Sequence, residues 1–269
     1  MKRLVTDLDN QSPLEAGRTL DRRARILELL ESEGRVKVTS LCRLFGVSDV
    51  TIRNDLAQLE QKGFLARTRG GGIRSQRAGI DYKLAEKAKR HAEEKQAIGK
   101  RAAELIKDDD TIFIDSGTTT LELAKNLNAL LNVTVITNAL NIADELVGRS
   151  NLKLVMLGGM IRQNSLSLVG PVAESSIMSF YCDKLFIGVD GIGSECGITT
   201  PNIEEANLNK LMIQNSSRVI VLADSSKFSR RSFAFIAPIS QIHTVITDKN
   251  IPEAELGNLQ SQGVEVILV

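Results

Sequence analysis

A chain of 269 residues with 34 Lys and Arg against 33 Asp and Glu has room for two domains and carries no bulk charge that would announce a partner. With 42% hydrophobic and 25% charged residues it has the composition of an ordinary folded protein, which excludes a disordered or fibrous chain. No apolar run approaches the roughly 18 residues of a spanning helix, and the first 17 residues are too polar for a signal-peptide core, so no membrane partner and a cytoplasmic location are expected.

The near-neutral total conceals an asymmetry. Residues 1–77 hold 15 Lys and Arg against 10 Asp and Glu, while the remaining 192 hold 19 against 23. A basic head on an acidic body is the charge pattern of nucleic-acid binding. Residues 1–17, with Pro13 and mixed charge, read as a disordered arm. A helix is predicted over 19–33, with Ile26, Leu27 and Leu30 on one side and Gly34 as its stop. Val38, Leu41, Cys42 and Phe45 then form one apolar stripe at i, i+3, i+4 and i+7, ended by Gly46. A second helix starts almost at once, with Ser48 as its cap and Ile52, Leu56 and Leu59 as its buried face.

Opposite that face lie Asp49, Val50, Arg53, Asn54 and Ala57. A major groove admits a helix, and an Arg beside an Asn suits bidentate reading of guanine and adenine edges, so Arg53 and Asn54 are the expected direct-readout pair. Ser48, Asp49 and Thr51 join them at the N-terminal end of the same helix. Beyond Gly63, two strand-like arms flank Gly70, Gly71 and Gly72, and from Gln61 to Arg77 there are five basic residues (Lys62, Arg67, Arg69, Arg74 and Arg77) and no acidic one. This is a wing whose Arg67, Arg69 and Arg74 reach for phosphates, which position a protein on DNA without specifying sequence. Residues 18–77 thus read as a winged helix-turn-helix that binds double-stranded DNA, and 78–94, charged and without apolar periodicity, as a linker that becomes helical.

From residue 95 onward, β-branched runs at 111–115, 133–137, 154–157, 185–189, 219–222, 244–247 and 264–268 alternate with helical patterns such as 119–130, 203–215 and 252–261. That alternation predicts a mostly parallel α/β sheet covered on both faces. Ligands of such sheets sit beyond the carboxyl ends of strands. The first such end, Asp115, Ser116, Gly117, Thr118, Thr119 and Thr120, offers hydroxyls, backbone N–H groups and a helix N-terminus to one point, a cradle for phosphate or carboxylate. Asn138 follows the second strand, and Gly158 and Gly159 follow the third, where a ligand can approach the backbone. Asp190, among glycines, suits sugar hydroxyls, and Lys227, three residues after Asp224, suits a phosphate as a point charge. Glu205 either faces this site or belongs to a solvated charged helix face. Cys42, Cys182 and Cys196 have no C-x-x-C spacing and read as reduced structural thiols; His91 and His243 stand far apart, so no metal or cofactor is assigned.

Taken together, Arg22 with Ile26, Gly46-Val47-Ser48, Thr51-Ile52-Arg53-x-Asp55-Leu56, Gly70-Gly71-Gly72, Asp115-Ser116-Gly117-Thr118-Thr119, Thr137-Asn138, Gly158-Gly159, Gly188-x-Asp190-Gly191, Glu205-Ala206 and Asp224-x-Ser226-Lys227-Phe228 resemble the DeoR-type repressors of sugar catabolism. The resemblance spans about residues 18–269 and looks nearest to repressors of N-acetylgalactosamine and galactosamine operons. It implies a repressor that acts as a homodimer or homotetramer and leaves operator DNA when a phosphorylated sugar binds residues 95–269, a domain similar in fold to ribose-5-phosphate isomerase. Family members usually carry two Arg in mid recognition helix, whereas here Asn54 follows Arg53, so a shifted operator sequence is expected.

Two other classes compete. An active sugar-phosphate isomerase with a DNA-binding appendage would use Asp190, Glu205 and Lys227 for proton transfer and enediolate stabilisation. The isomerase pattern has a Lys-Gly-Gly-Gly stretch where this chain reads Cys196-Gly197-Ile198-Thr199-Thr200, so no catalytic residue is assigned. A purely structural oligomerisation domain would need no convergent phosphate donors.

Overall fold

The computed structural model describes residues 22–269 except 24, 28, 31–32, 62–64, 75–80 and 128–130. The chain divides into two compact units, 1–80 and 81–269. The expected arm and the start of the first helix lie outside the described residues, as do Lys62 and Arg77 of the basic hairpin.

In the first unit, helical turns within 22–33 precede β1 (Arg35–Lys37), α1 (Val38–Phe45), α2 (Asp49–Gln61), β2 (Leu65–Thr68) and β3 (Gly71–Arg74). Ile26, Leu30, Val38, Leu41, Ile52, Leu56, Leu59 and Leu65 make one core, each such side chain contributing about 1.5–3 kcal/mol on burial. Gly46 ends α1 in the left-handed region at φ 64° and returns its N–H to the Cys42 carbonyl. β1 adds a third strand to the wing, in the order β1-β3-β2. The strands approach so closely that a Cβ on Gly71 would lie 1.9 Å from the Val36 carbonyl oxygen. Buried Asp55 on α2 receives Arg22 Nε at 2.6 Å and Arg23 Nε at 2.7 Å, and so ties the opening helix to α2 with two charge-assisted bonds.

The second unit begins at Asp81, inside the stretch expected to be a linker. Of its first elements, α3 (Leu84–Lys89) and α4 (Ala92–Ala103), the second buries Ile98 and Ala102 in the core, while the first docks through polar groups: Leu84 donates its N–H to the Asn164 carbonyl, and Asp81 meets Arg162 and Asn164. Hydrophobic periodicity is blind to such contacts. Then come β4 (Thr111–Ile114), α5 (Thr118–Lys125), β5 (Val133–Thr137), α6 (Leu140–Leu146), β6 (Leu152–Met156), β7 (Met160–Arg162), β8 (Ser167–Val169), α7 (Pro171–Ile177), β9 (Cys182–Gly188), β10 (Gly191–Gly193), β11 (Gly197–Thr200), α8 (Ile203–Gln214), β12 (Ser216–Leu222), β13 (Ala234–Ala237), β14 (Thr244–Thr247), α9 (Glu253–Ser261) and β15 (Glu265–Leu268).

Seven strands form one all-parallel sheet in the order β15-β14-β12-β9-β4-β5-β6. Two apolar clusters cover it, one built around Phe113, Leu185 and Val221, the other around Ile112, Ile114 and Phe186, as alternation of side chains along buried strands requires. The chain runs outward from β4 to β6, then returns to the other side of β4 and runs outward again from β9 to β15. Strand order therefore reverses between β4 and β9, where such sheets open a crevice. The hairpin β7-β8 and the antiparallel trio β10-β11-β13 are additions that the sequence reading did not contain. No helix among the described residues is long and apolar enough to cross a membrane.

α4 lies against α5 at Gly99, where a Cβ would sit 2.5 Å from the Glu122 carbonyl carbon. Replacing Gly by Ala in a helix ordinarily gains about 1 kcal/mol, but overpacking against backbone costs about 1–3 kcal/mol. Gly99→Ala is expected to lower stability in a urea melt; a neutral or stabilised variant would mean that the two helices separate freely.

Candidate functional site

On the first unit the recognition face starts at a capped helix. Ser48 Oγ accepts the Thr51 N–H at 3.2 Å and lies 2.8 Å from Thr51 Oγ1. The Asp49 carboxylate takes Arg53 Nε across one turn and reaches Nη2 at 3.3 Å, and its hydrogen bond and charge hold the guanidinium's pKa above the ordinary value. Val50, Arg53 and Asn54 are all exposed beside one another, a surface of one apolar and two fork-shaped polar groups. Glu60, near the end of α2, accepts the Arg67 backbone N–H at 2.8 Å and so sets the start of the wing relative to α2. Arg67 and Arg69 are exposed on the hairpin, and Arg74 closes β3.

On the second unit, the crevice between β4 and β9 is a cleft that gathers Asp115, Ser116, Gly117, Thr118, Thr119, Asp190, Glu205 and Lys227 from the sequence-derived candidates. α5 begins at Thr118 directly beyond β4, so its first-turn N–H groups, which no helical carbonyl can satisfy, open toward the cleft. Asp190, just past β9, has Lys87 Nζ 2.8 Å from Oδ1 and 2.9 Å from Oδ2, with Lys227 Nζ 3.9 Å from Oδ1. Burial alone would raise the Asp190 pKa, but the charges of Lys87 and Lys227 outweigh it and hold the carboxylate below its usual range. Lys87 stays charged by the reciprocal balance, burial opposing and Asp190 prevailing. Asp115 is different: burial first and Glu205 second push its carboxyl well up, which favours the protonated form.

Glu205 is buried rather than on a solvated face. Its Oε1 accepts Arg162 Nη1 at 3.0 Å and Ser167 Oγ at 3.1 Å, and its Oε2 accepts Thr200 Oγ1 at 3.3 Å. A carboxylate bound on both oxygens is placed to organise the site rather than to move protons. Lys227 follows Asp224 in the chain, but the acid turns inward, accepting the Ser226 N–H at 3.1 Å, and only the ammonium faces the cleft.

Four expected residues stand outside the cleft lining. Thr120 points into the interior; Asn138 is buried and donates to the Leu168 carbonyl at 3.2 Å, holding β8. At Gly159, with φ 136°, a Cβ would fall 2.7 Å from the Val169 carbonyl oxygen, and one on Gly158 would fall 3.1 Å from Val172. These glycines admit the close approach of β8 and α7.

Lys87, Lys95, Tyr82, Asn164, Ser165, Thr200 and Asn209 also line the cleft and were not among the expected site residues. Two of them left a signal. Lys95 shares a helical stripe with Ile98 and Ala102, a cation on an apolar face, and Asn209 lies one turn beyond Glu205 on α8. Buried Lys95 donates to the carbonyls of Lys87 and Arg90, and burial lowers its pKa to about 8, with nearby Asp224 opposing and Lys227, Lys87 and Arg90 reinforcing.

With this geometry the comparisons can be weighed. Residues 22–77 match the DeoR-like helix-turn-helix domain, and residues 90–249 match the DeoR C-terminal sensor domain. The chain belongs to the DeoR family. It is similar to a protein of Escherichia coli O157:H7 named as an aga operon transcriptional repressor, 40% identical over 93% of this chain and 94% of the relative. It is 37% identical to the transcriptional repressor GlcR of Bacillus subtilis over 92% of this chain and 95% of the relative, and 36% identical to the regulator GlpR of Haloferax volcanii over 92% and 96%. This DeoR-family member is thus a DNA-binding transcriptional regulator with a sensor domain, and its relatives carry the names of regulators rather than enzymes. Ribose 5-phosphate isomerase from Plasmodium falciparum overlaps 51% of this chain and 52% of its own at 18% identity and a TM-score of 0.37, too distant to bear on chemistry.

A lysine depressed in the folded state carries a charging cost at neutral pH that disappears as pH rises from about 8 toward its unfolded value near 10.5. The native chain is therefore expected to gain about 3 kcal/mol relative to Lys95→Met between pH 7 and pH 10.5 in parallel denaturant melts. A pH-independent difference would contradict the burial of a charged Lys95.

Proposed function

We propose that this regulator represses a sugar-catabolic operon: a homodimer or homotetramer binds paired operator half-sites and is released when a phosphorylated sugar fills the cleft. The observation that carries the reading is the convergence of a helix N-terminus, the Thr118 and Thr119 hydroxyls and the three lysines 87, 95 and 227 on one crevice. A phosphate dianion satisfies orphan N–H donors and ammonium groups together. Asp115, Ser116, Gly117, Thr118 and Thr119 with the lysines hold the phosphate, Asp190 meets sugar hydroxyls, and Glu205 braces the site through Arg162. Thr120, Asn138, Gly158 and Gly159 frame it. The name of the E. coli relative supports an amino-sugar operon as the target.

Release follows from competition for cations. Lys87 is part of α3, and Lys95 holds the carbonyls of Lys87 and Arg90. An anion that draws both ammonium groups toward itself loosens α3, the first element of the second unit after the DNA-binding sequence ends. A coupling of about 1–3 kcal/mol is enough for several-fold to hundred-fold release. On DNA, Arg53 and Asn54 read bases with Asp49 orienting Arg53, Val50 meets thymine methyls, and Ser48, Thr51, Arg67, Arg69 and Arg74 hold backbone. The place of action is the cytoplasm, where the operator is.

Two outcomes test the assignment of roles. Arg53→Ala should cost about 1–3 kcal/mol on the native operator and relax sequence preference, whereas Arg69→Ala should weaken binding to all sequences and reduce the salt slope by about 1. Identical behaviour of the two variants would remove the distinction between reading and positioning. A Thr118→Val, Lys227→Met double variant should bind operator as the native chain does and ignore the sugar phosphate that releases it. Unchanged release would take the cleft out of the mechanism.

A further inference from the structure

Which sugar phosphates the cleft admits depends on the groups that line it beyond the phosphate cradle, and this step rests on the cleft being the sugar-phosphate site. Every carboxylate on the cleft wall is already committed. Both oxygens of Asp190 lie within 2.9 Å of Lys87 Nζ, and Oδ1 is also 3.9 Å from Lys227. Glu205 is bound through both oxygens to Arg162, Ser167 and Thr200. Asp115 is 3% exposed, lies beside Glu205 and Ser116, and favours its neutral form because burial penalises the charge. Facing them are the three lysines, so a second positive charge brought in on a ligand finds repulsion and no unpaired anion. Like charges brought together at such a site repel strongly.

Neutral acceptors are a different matter. Asn209, one turn after Glu205 on the same face of α8, lines the cleft, is 3% exposed, and its Oδ1 is buried without a hydrogen-bond partner among the described residues. A buried unpaired amide oxygen carries an uncompensated desolvation cost until a donor reaches it. Ring hydroxyls and an acetamide N–H are such donors and bring no charge. Ser165 and Thr200 also line the cleft with neutral hydroxyls.

We infer that the effector is a sugar phosphate without a free amine, a hydroxyl or N-acetyl sugar, and that Asn209 is the residue that reads its neutral polar substituent. A phosphorylated sugar with an unmodified ammonium group is excluded as an inducer, whatever operon the protein controls. The regulator would then respond to a metabolite from before an N-deacetylation or after a deamination, but not to the free amine between those two classes of reaction.

The test is isothermal titration of the full-length chain at pH 6.5 with inorganic phosphate and with matched hexose 6-phosphates bearing a hydroxyl, an acetamide or an amine at carbon 2, in both gluco and galacto series. In the series that binds, the amine form is expected to be at least tenfold weaker than its hydroxyl and acetamide partners. Asn209→Leu should weaken those partners about tenfold more than it weakens inorganic phosphate, and Asn209→Asp, which installs an anion, should narrow or invert the gap. An amine form that binds as well as its partners, or an Asn209→Asp variant that keeps the native gap undiminished, overturns the inference while leaving the phosphate cradle standing. Absence of binding by any sugar phosphate and by phosphate itself overturns the cradle and the inference together.

Discussion

A parallel sheet whose strand order reverses leaves a crevice that no crossover helix fills, and here the reversal lies between β4 and β9. That topology brings the loop after β4, with the N-terminus of α5, against the loop after β9, with Asp190, and places the turn after β12, with Lys227, alongside. None of these groups is near another in sequence, and each is an ordinary strand-ending residue by itself. Their meeting is a property of the sheet. The apolar clusters on its two faces hold the register, and Gly99 lets α4 come close enough to α5 to carry Lys95 to the same point.

The cleft is electrostatically expensive. Lys95 is buried with a pKa drawn down to about 8, and Asp115 is buried with a carboxyl pushed up. Lys87 and Asp190 compensate each other at 2.8 Å, and Arg162 bridges Asp81 and Glu205. Buried charges that are only partly matched cost stability, and under the proposed mechanism an entering dianion recovers that free energy. The Lys95 ammonium also holds the carbonyls of Lys87 and Arg90, at the end of α3 and just beyond it.

Much of this was legible in the residues. The seven sheet strands fall where β-branched runs alternate with helical patterns, and the winged unit follows from the stripe of Val38 and Leu41, the stripe of Ile52, Leu56 and Leu59, and the stop at Gly46. The loop at Asp115–Thr119, Asp190 and Lys227 stood out because strand ends are where α/β sheets bind. Short Gly-rich strands such as β10 and β11, of three and four residues, carry too little alternation to read. Gly158, Gly159 and Asn138 stand outside the cleft lining for a physical reason: close backbone approach looks alike in sequence whether the visitor is a ligand or the chain's own β8. Lys87 and Arg162 gave no sign, since a lone cation in a charged or loop segment matches the far commoner solvated side chain.

The proposed mechanism joins the regulator's two halves by linkage: whatever the sugar phosphate does to operator affinity, the operator must do equally to sugar-phosphate affinity. The most direct measurement is therefore a closed cycle on the full-length chain at fixed salt. Operator affinity is read by fluorescence anisotropy with and without saturating sugar phosphate, and sugar-phosphate affinity is read by calorimetry with and without operator. The account predicts that one sugar phosphate weakens operator binding by about 5- to 150-fold and that the reciprocal ratio agrees. Specific operator binding that no sugar phosphate alters, or a sugar phosphate that binds equally well to the free and the operator-bound chain, would contradict it.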